Sequence, residues 1–287
     1  MADEKDPIWF RYTFVLDDGR KRVFEVKLDP DTLSIIRNPG MQSPPEWTTL
    51  GYSPCAHCPL PPESKHCPIA LNFSDVVEAF NDVVSCRSAE VTVESRERKY
   101  SKSCSVQEAL FPLLGIYMSA SGCPSMEPFK PLVRFHLPFS SVEETIYRVI
   151  SMYVTAQYMR MQSGLRPDWD LKGITDIYAQ VNQVNREFCQ RLTKAVKEDA
   201  VVNAVVILSL DFYYNCKVPL INYQGQLSKV NGNSFPLIRL QVKLITFLLQ
   251  VIPVINALNC DGYCHSIKVY VLIVCESVFN INLKLEG

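Results

Sequence analysis

The chain has 287 residues, of which 21% are charged and 47% hydrophobic, and a formal net charge of −1. That length supplies core for one large or two modest domains, and the ordinary balance of residue types excludes wholesale disorder. Near-neutrality leaves no global field to draw in nucleic acid or an acidic membrane surface, so neither is expected as a partner. The start, MADEKDPIWF, lacks the basic-then-apolar pattern of a secretory signal. Eleven cysteines, an odd number, then read as free thiols rather than a disulfide framework. The expected compartment is the cytoplasm.

Phe10, Tyr12 and Phe14 alternate with Arg11 and Thr13, and Val23, Phe24 and Val26 lie across Asp17-Asp18-Gly19. Aspartate followed by glycine between β-rich runs predicts a hairpin, taken here as an N-terminal unit over residues 1–36. Four prolines from Pro30 to Pro45 mark a loop or linker. A second unit is expected over 46–222. In it, Cys67-Pro68 opens a helix, because proline suits a first turn, and Ile69, Phe73, Val76, Val77, Phe80 and Val84 recur at helical spacing. Residues 89–95 and 98–103 read as two short strands around Arg96-Glu97. A second helix is predicted over Val106–Ser119, kinked or started by Pro112, with Gly122-Cys123-Pro124 as its stop.

Ser141 and Glu144 have the spacing of a capping box, and an apolar stripe from Val142 runs to about Met161. Gly164 to Asp170 makes a turn, with Asp170 expected to cap the helix after it. Ile174, Ile177, Val181, Val184, Phe188 and Leu192 then step along another long helix. Two long helices joined by a short polar turn predict an antiparallel pair. Residues 201–210 are apolar throughout and fit a buried helix or a strand equally. The expected fold class is therefore α+β: an N-terminal hairpin and small antiparallel sheet packed on a mainly helical body.

Residues 223–287 differ in character. Charges are sparse, and LITFLLQVIPVINAL (244–258) and VYVLIVC (269–275) are too short to cross a membrane. This tail reads as foreign to the domain before it, through a frame change or fused extension near Lys217–Gln226.

The chemistry concentrates in CAHCPLPPESKHCP, residues 55–68. A Cys-x-x-Cys pair can aim two sulfurs at one ion, and here Cys55 and Cys58 have that spacing, followed by Cys67. Cys123, again before a proline, is the best remote fourth ligand. His57 and His66 are local alternatives, although His66 adjoins Cys67 and the two would share one ion awkwardly. A metal site is favoured over a redox pair and over a sulfur-rich structural turn. Four sulfurs suit an iron–sulfur cluster or zinc, which spacing does not separate. Cys86, Cys104 and Cys189 read as core thiols. Cys260 and Cys264 sit in too irregular a context to be preferred, and Cys216 and Cys275 also fall in or near the tail.

His136 lies beside a helix start carrying Glu143 and Glu144, and the preferred reading is a histidine bonded to backbone there. Glu144 and Arg148 read as a surface i,i+4 pair. Arg96 to Lys102 form the one basic cluster and read as a solvated hairpin turn rather than a nucleic-acid contact. No phosphate loop, nucleophile elbow, His-Glu-x-x-His or Glu-x-x-His pair occurs. The sequence therefore leans away from an enzyme.

The phrases LDDG, CAHCPL with a later CP, RKYSKS, SGCP, RFHLPFSSVEETIYRVISMY and GLRPDWDL together resemble an uncharacterised bacterial family of domains of unknown function, over roughly residues 8–215. The resemblance implies no activity, but it treats Cys55, Cys58, Cys67 and Cys123 as one set. The function expected is a metal- or iron–sulfur-binding cytoplasmic protein whose site is structural, sensory or electron-transferring. Two alternatives stay open: a thiol enzyme using Cys55 or Cys58 with His57, His66 or His136 as base, and a metal-free interaction module on the helix pair with a protein partner.

Overall fold

The computed structural model describes residues 5–37 and 43–206. Strands β1 (Ile8–Leu16) and β2 (Lys21–Leu28) form the expected hairpin, and Gly19 adopts φ 82° in its turn, a conformation that costs glycine nothing. Strands β3 (Ser88–Glu94) and β4 (Lys99–Ser105) form a second hairpin around Arg96 and Glu97. β1 also pairs antiparallel with β3, Tyr12 opposite Val93 and Phe14 opposite Val91, giving one sheet in the order β2-β1-β3-β4.

Alternation fixes which face is buried. Phe10, Tyr12, Phe14 and Leu16 of β1, Phe24, Val26 and Leu28 of β2, and Ala89, Val91 and Val93 of β3 turn into the core. β4, at the sheet edge, has no fully buried residue and carries Lys99 and Lys102, as an edge that avoids pairing with other chains should.

Helix α1 (Pro68–Phe80) begins at Cys67 and covers the sheet through Phe80, whose ring meets Phe14 edge-on with centroids 5.4 Å apart. It ends before Val84, which is 42% exposed and does not continue the apolar stripe. Helix α2 (Val106–Ser119) has the predicted bounds and contains Pro112; a Ser105–Glu108 capping box starts it. A 3₁₀ segment, Pro124–Phe129, and the short α3 (Lys130–Arg134) lead to α4 (Val142–Gln162). The Ser141 box closes as predicted, with Glu144 N–H on Ser141 Oγ at 3.2 Å and Ser141 N–H on Glu144 Oε2 at 2.7 Å.

Helix α5 (Lys172–Thr193) follows α4 after the turn of residues 163–171 and packs on other parts of the body. Its Phe188 packs edge-on against Phe73 of α1, centroids 4.8 Å apart, and its Tyr178 against Phe129 at 5.2 Å. The cap before α5 differs from expectation. Asp170 only pairs with Lys172 at the surface, whereas Asp168 Oδ2 accepts the Gly173 N–H at 2.7 Å and the Tyr153 hydroxyl at 2.8 Å. Leu171, in the left-handed region, precedes the helix without a side-chain cap.

Residues 200–206 are helical and buried at Ala200, Val201, Ala204 and Val205, which resolves the described part of the 201–210 run. Asp199 anchors this end by accepting the Ser85 N–H and hydroxyl, both at 2.8 Å. The readings on the tail, including Cys216, Cys260, Cys264 and Cys275, lie outside the described residues. Among the described residues no helix is long and apolar enough to cross a membrane.

Candidate metal centre

The loop carrying Cys55 and Cys58 is fastened in two ways. Its near end pairs with the stretch before α1: Cys67 N–H donates to Thr48 O at 2.9 Å and Leu50 N–H to Lys65 O at 3.0 Å. Its length then lies on α5. Arg191, 2% exposed, donates to the carbonyls of Trp47 and Thr49, each at 2.7 Å, and to Leu50 O at 3.2 Å. Tyr52 OH donates to Lys194 O at 3.0 Å, and Ala56 N–H to Glu187 Oε2 at 3.2 Å.

Cys67 is delivered by α1, which packs on α5 through Phe73 and Phe188, and Cys123 by the 3₁₀ segment, which packs on α5 through Phe129 and Tyr178. One helix is thus the bed for all three cysteine-bearing segments. Cys67 and Cys123 are buried, and Cys55 and Cys58 half-buried. Cys55, Cys58, Cys67 and Cys123 are all free thiols.

Three of the four thiols, Cys55, Cys67 and Cys123, are shifted upward, in part by other cysteines of the set. Burial pushes Cys55 up to about 12, with further upward contributions from Cys67, the Glu187 carboxylate and Cys58. Burial likewise takes Cys123 to about 11, with Cys67 and Cys58 adding to it. Burial raises Cys67 too, opposed by the Ala70 N–H, the Arg191 charge and the Ile69 N–H. Cys123 meets the same opposition from the N–H groups of Ser125 and Met126. In both places the N–H groups act by their field; neither sulfur closes a full capping hydrogen bond. As they stand, no three His, Cys, Asp or Glu side chains among the described residues are grouped closely enough to hold an ion.

The histidines are otherwise engaged. His57 is exposed, and His66 Nδ1 meets Thr48 Oγ1 at 2.9 Å. His136 bonds through Nε2 to the buried Tyr12 hydroxyl, correcting the expected backbone role of its ring. Arg148 is not a surface partner of Glu144; it turns inward to Leu132 O and Phe135 O, at 3.0 and 2.8 Å, while Glu144 is taken up by the capping box. Among the expected core thiols Cys189 is buried, Cys104 half-buried, and Cys86 exposed two residues before β3.

Sequence reading missed Arg191 and Glu187. The available signal was Arg191 standing three residues after Phe188 and beside Leu192, on the apolar stripe of α5. The buried Asn185 amide on the same helix has no hydrogen-bond partner among the described residues, and nothing in the structure explains it.

The profile of the domain of unknown function DUF6901 matches residues 8–218. The chain belongs to that family. Its span takes in the whole sheet, helices α1 to α5 and the four cysteines, and ends close to the point where the sequence changes character. No curated protein and no solved structure matches the chain.

Proposed function

We propose that the chain is a metal- or iron–sulfur-binding cytoplasmic protein, with Cys55, Cys58, Cys67 and Cys123 as ligands. The observation that supports this reading is the packing of three separate cysteine-bearing segments on α5, with Arg191 beneath the strip that leads into the Cys55–Cys58 loop and acting on Cys67. That buried guanidinium has no carboxylate partner among the described residues. Four thiolates around zinc or an iron–sulfur cluster carry net negative charge, and a buried cation with two helix starts offsets such charge.

Soft sulfur donors suit these metals and not hard cations. Binding draws the thiols together from their present spacing, and the half-buried 55–58 loop is the part with room to close. A closed four-sulfur site leaves no position for substrate, so the role is structural, sensory or electron-transferring. The thiol-enzyme alternative has less support, because His66 is bonded to Thr48 and His136 to Tyr12 rather than to Cys55 or Cys58.

Timed alkylation under anaerobic conditions separates the two readings. A metal centre protects all four thiols together and yields them together to a chelator. One fast-reacting cysteine, unaffected by chelator, would instead mark a nucleophile.

A further inference from the structure

A cleft of about 670 Å³ opens between the start of β1, the β3–β4 turn and the segment after α3. That volume lies in the range of small-molecule sites. None of its lining residues belongs to the cysteine loop. The lining carries four basic side chains, Lys5, Arg96, Arg98 and Arg134, against two acidic ones, Asp6 and Glu97. Two of the basic groups are occupied: Lys5 pairs with Asp31, and Arg96 with Asp6 at 3.0 Å.

Arg134 uses one amine on Pro30 O at 2.8 Å, and neither it nor Arg98 has a carboxylate partner among the described residues. Two guanidinium groups with unused donors therefore line the same cleft. Apart from Ser95, the remainder of the lining is aromatic or apolar: Phe10 and His136 meet edge-on at 5.1 Å, and Phe135, 75% exposed, also lines the cleft. His136 contributes a ring already bonded to Tyr12.

We propose that this cleft binds a small aromatic anion, its carboxylate or phosphate held by Arg98 and Arg134 and its ring lying against the Phe10–His136 wall. Guanidinium forks suit both head groups, and the apolar wall rewards a ring over a bare ion. The volume is that of a small molecule, not of a nucleic-acid groove.

The test is calorimetric titration of the full chain with phenyl phosphate, benzoate and inorganic phosphate. The expected result is saturable one-to-one binding of phenyl phosphate or benzoate, roughly tenfold or more tighter than inorganic phosphate. Which of the two binds more tightly identifies the preferred head group. Arg98→Ala should weaken binding roughly tenfold. Lys99→Ala should leave it unchanged, since Lys99 pairs with Glu94 and does not line the cleft. Absent binding of both aromatic probes, aromatic probes no tighter than inorganic phosphate, or equal weakening by the two variants would each overturn the proposal.

Discussion

Cys67 and Cys123 occupy equivalent places at two helix starts: each is the residue before a helical segment, and each is followed by proline at the first position. In both, the N–H groups two and three residues on favour the sulfur's charged form against the opposing effect of burial. Proline supplies no N–H of its own and fixes the backbone for the turn. The two sulfurs are thus presented on rigid supports, while Cys55 and Cys58 lie on a turn closed by Cys58 N–H on Cys55 O at 3.2 Å.

If the four act as one ligand set, Cys67→Ser and Cys123→Ser should each abolish stoichiometric metal. Cys189→Ser, which alters another buried thiol of the same domain, should leave the metal content unchanged. Elemental analysis of the three variants checks this. Equal metal in Cys123→Ser and the parent would remove Cys123 from the set.

Arg191→Met should destabilise the fold by about 2–4 kcal/mol, because it strands buried carbonyls on the Trp47–Leu50 strip. Arg191→Lys should recover only part of that loss, since a single ammonium cannot reproduce the fork. Denaturant titration of both variants measures the effect, and a loss equal to that of an exposed arginine would contradict the assigned role.

Gly173 leaves no room for a side chain: an added Cβ would collide with the Tyr153 hydroxyl, itself held by Asp168. Gly173→Ala should therefore cost about 1–3 kcal/mol. Gly51, where a Cβ meets nothing, supplies the comparison. Gly51→Ala should be close to neutral in the same melts.

Burial, helped by the Arg148 charge, holds His136 down at about 3 against an ordinary 6.5. Below 6.5 the unfolded chain takes up a proton that the folded chain refuses. This contribution to stability is complete above 6.5 and is lost progressively as pH falls toward 3. Its steepest slope is about 1.4 kcal/mol per pH unit. His136→Asn should flatten the pH dependence between about pH 6 and pH 4, relative to the parent. Parallel curves for the two proteins would show that His136 titrates normally.

Much of this fold is local and therefore legible in sequence. The Asp-Gly turn, the proline after Cys67 and the Ser141 box each act within a few residues of the structure they determine. What sequence reading left out is non-local. The β1–β3 pairing joins two hairpins separated by the cysteine loop and α1, and periodicity within each strand cannot state which strand is its neighbour.

Side-chain direction misled in the same way. Glu144 and Arg148 have the spacing of a surface pair, but the carbonyls of Leu132 in α3 and of Phe135 just after it draw Arg148 inward. Asp170 stands at the capping distance, but Asp168 reaches both the Gly173 N–H and the Tyr153 hydroxyl. At the candidate site the cysteines were visible as a motif. The bed beneath them was not, because nothing local says that Arg191, on the apolar stripe of α5, and Glu187 face the strip and loop before α1.

The most direct test of the central claim is metal content per chain, zinc and iron together, on protein purified anaerobically without a metal-affinity tag. The account predicts near-stoichiometric zinc, or iron with matching labile sulfide, lost on replacing Cys67. Protein free of both metals, folded and with every thiol titratable, would contradict it.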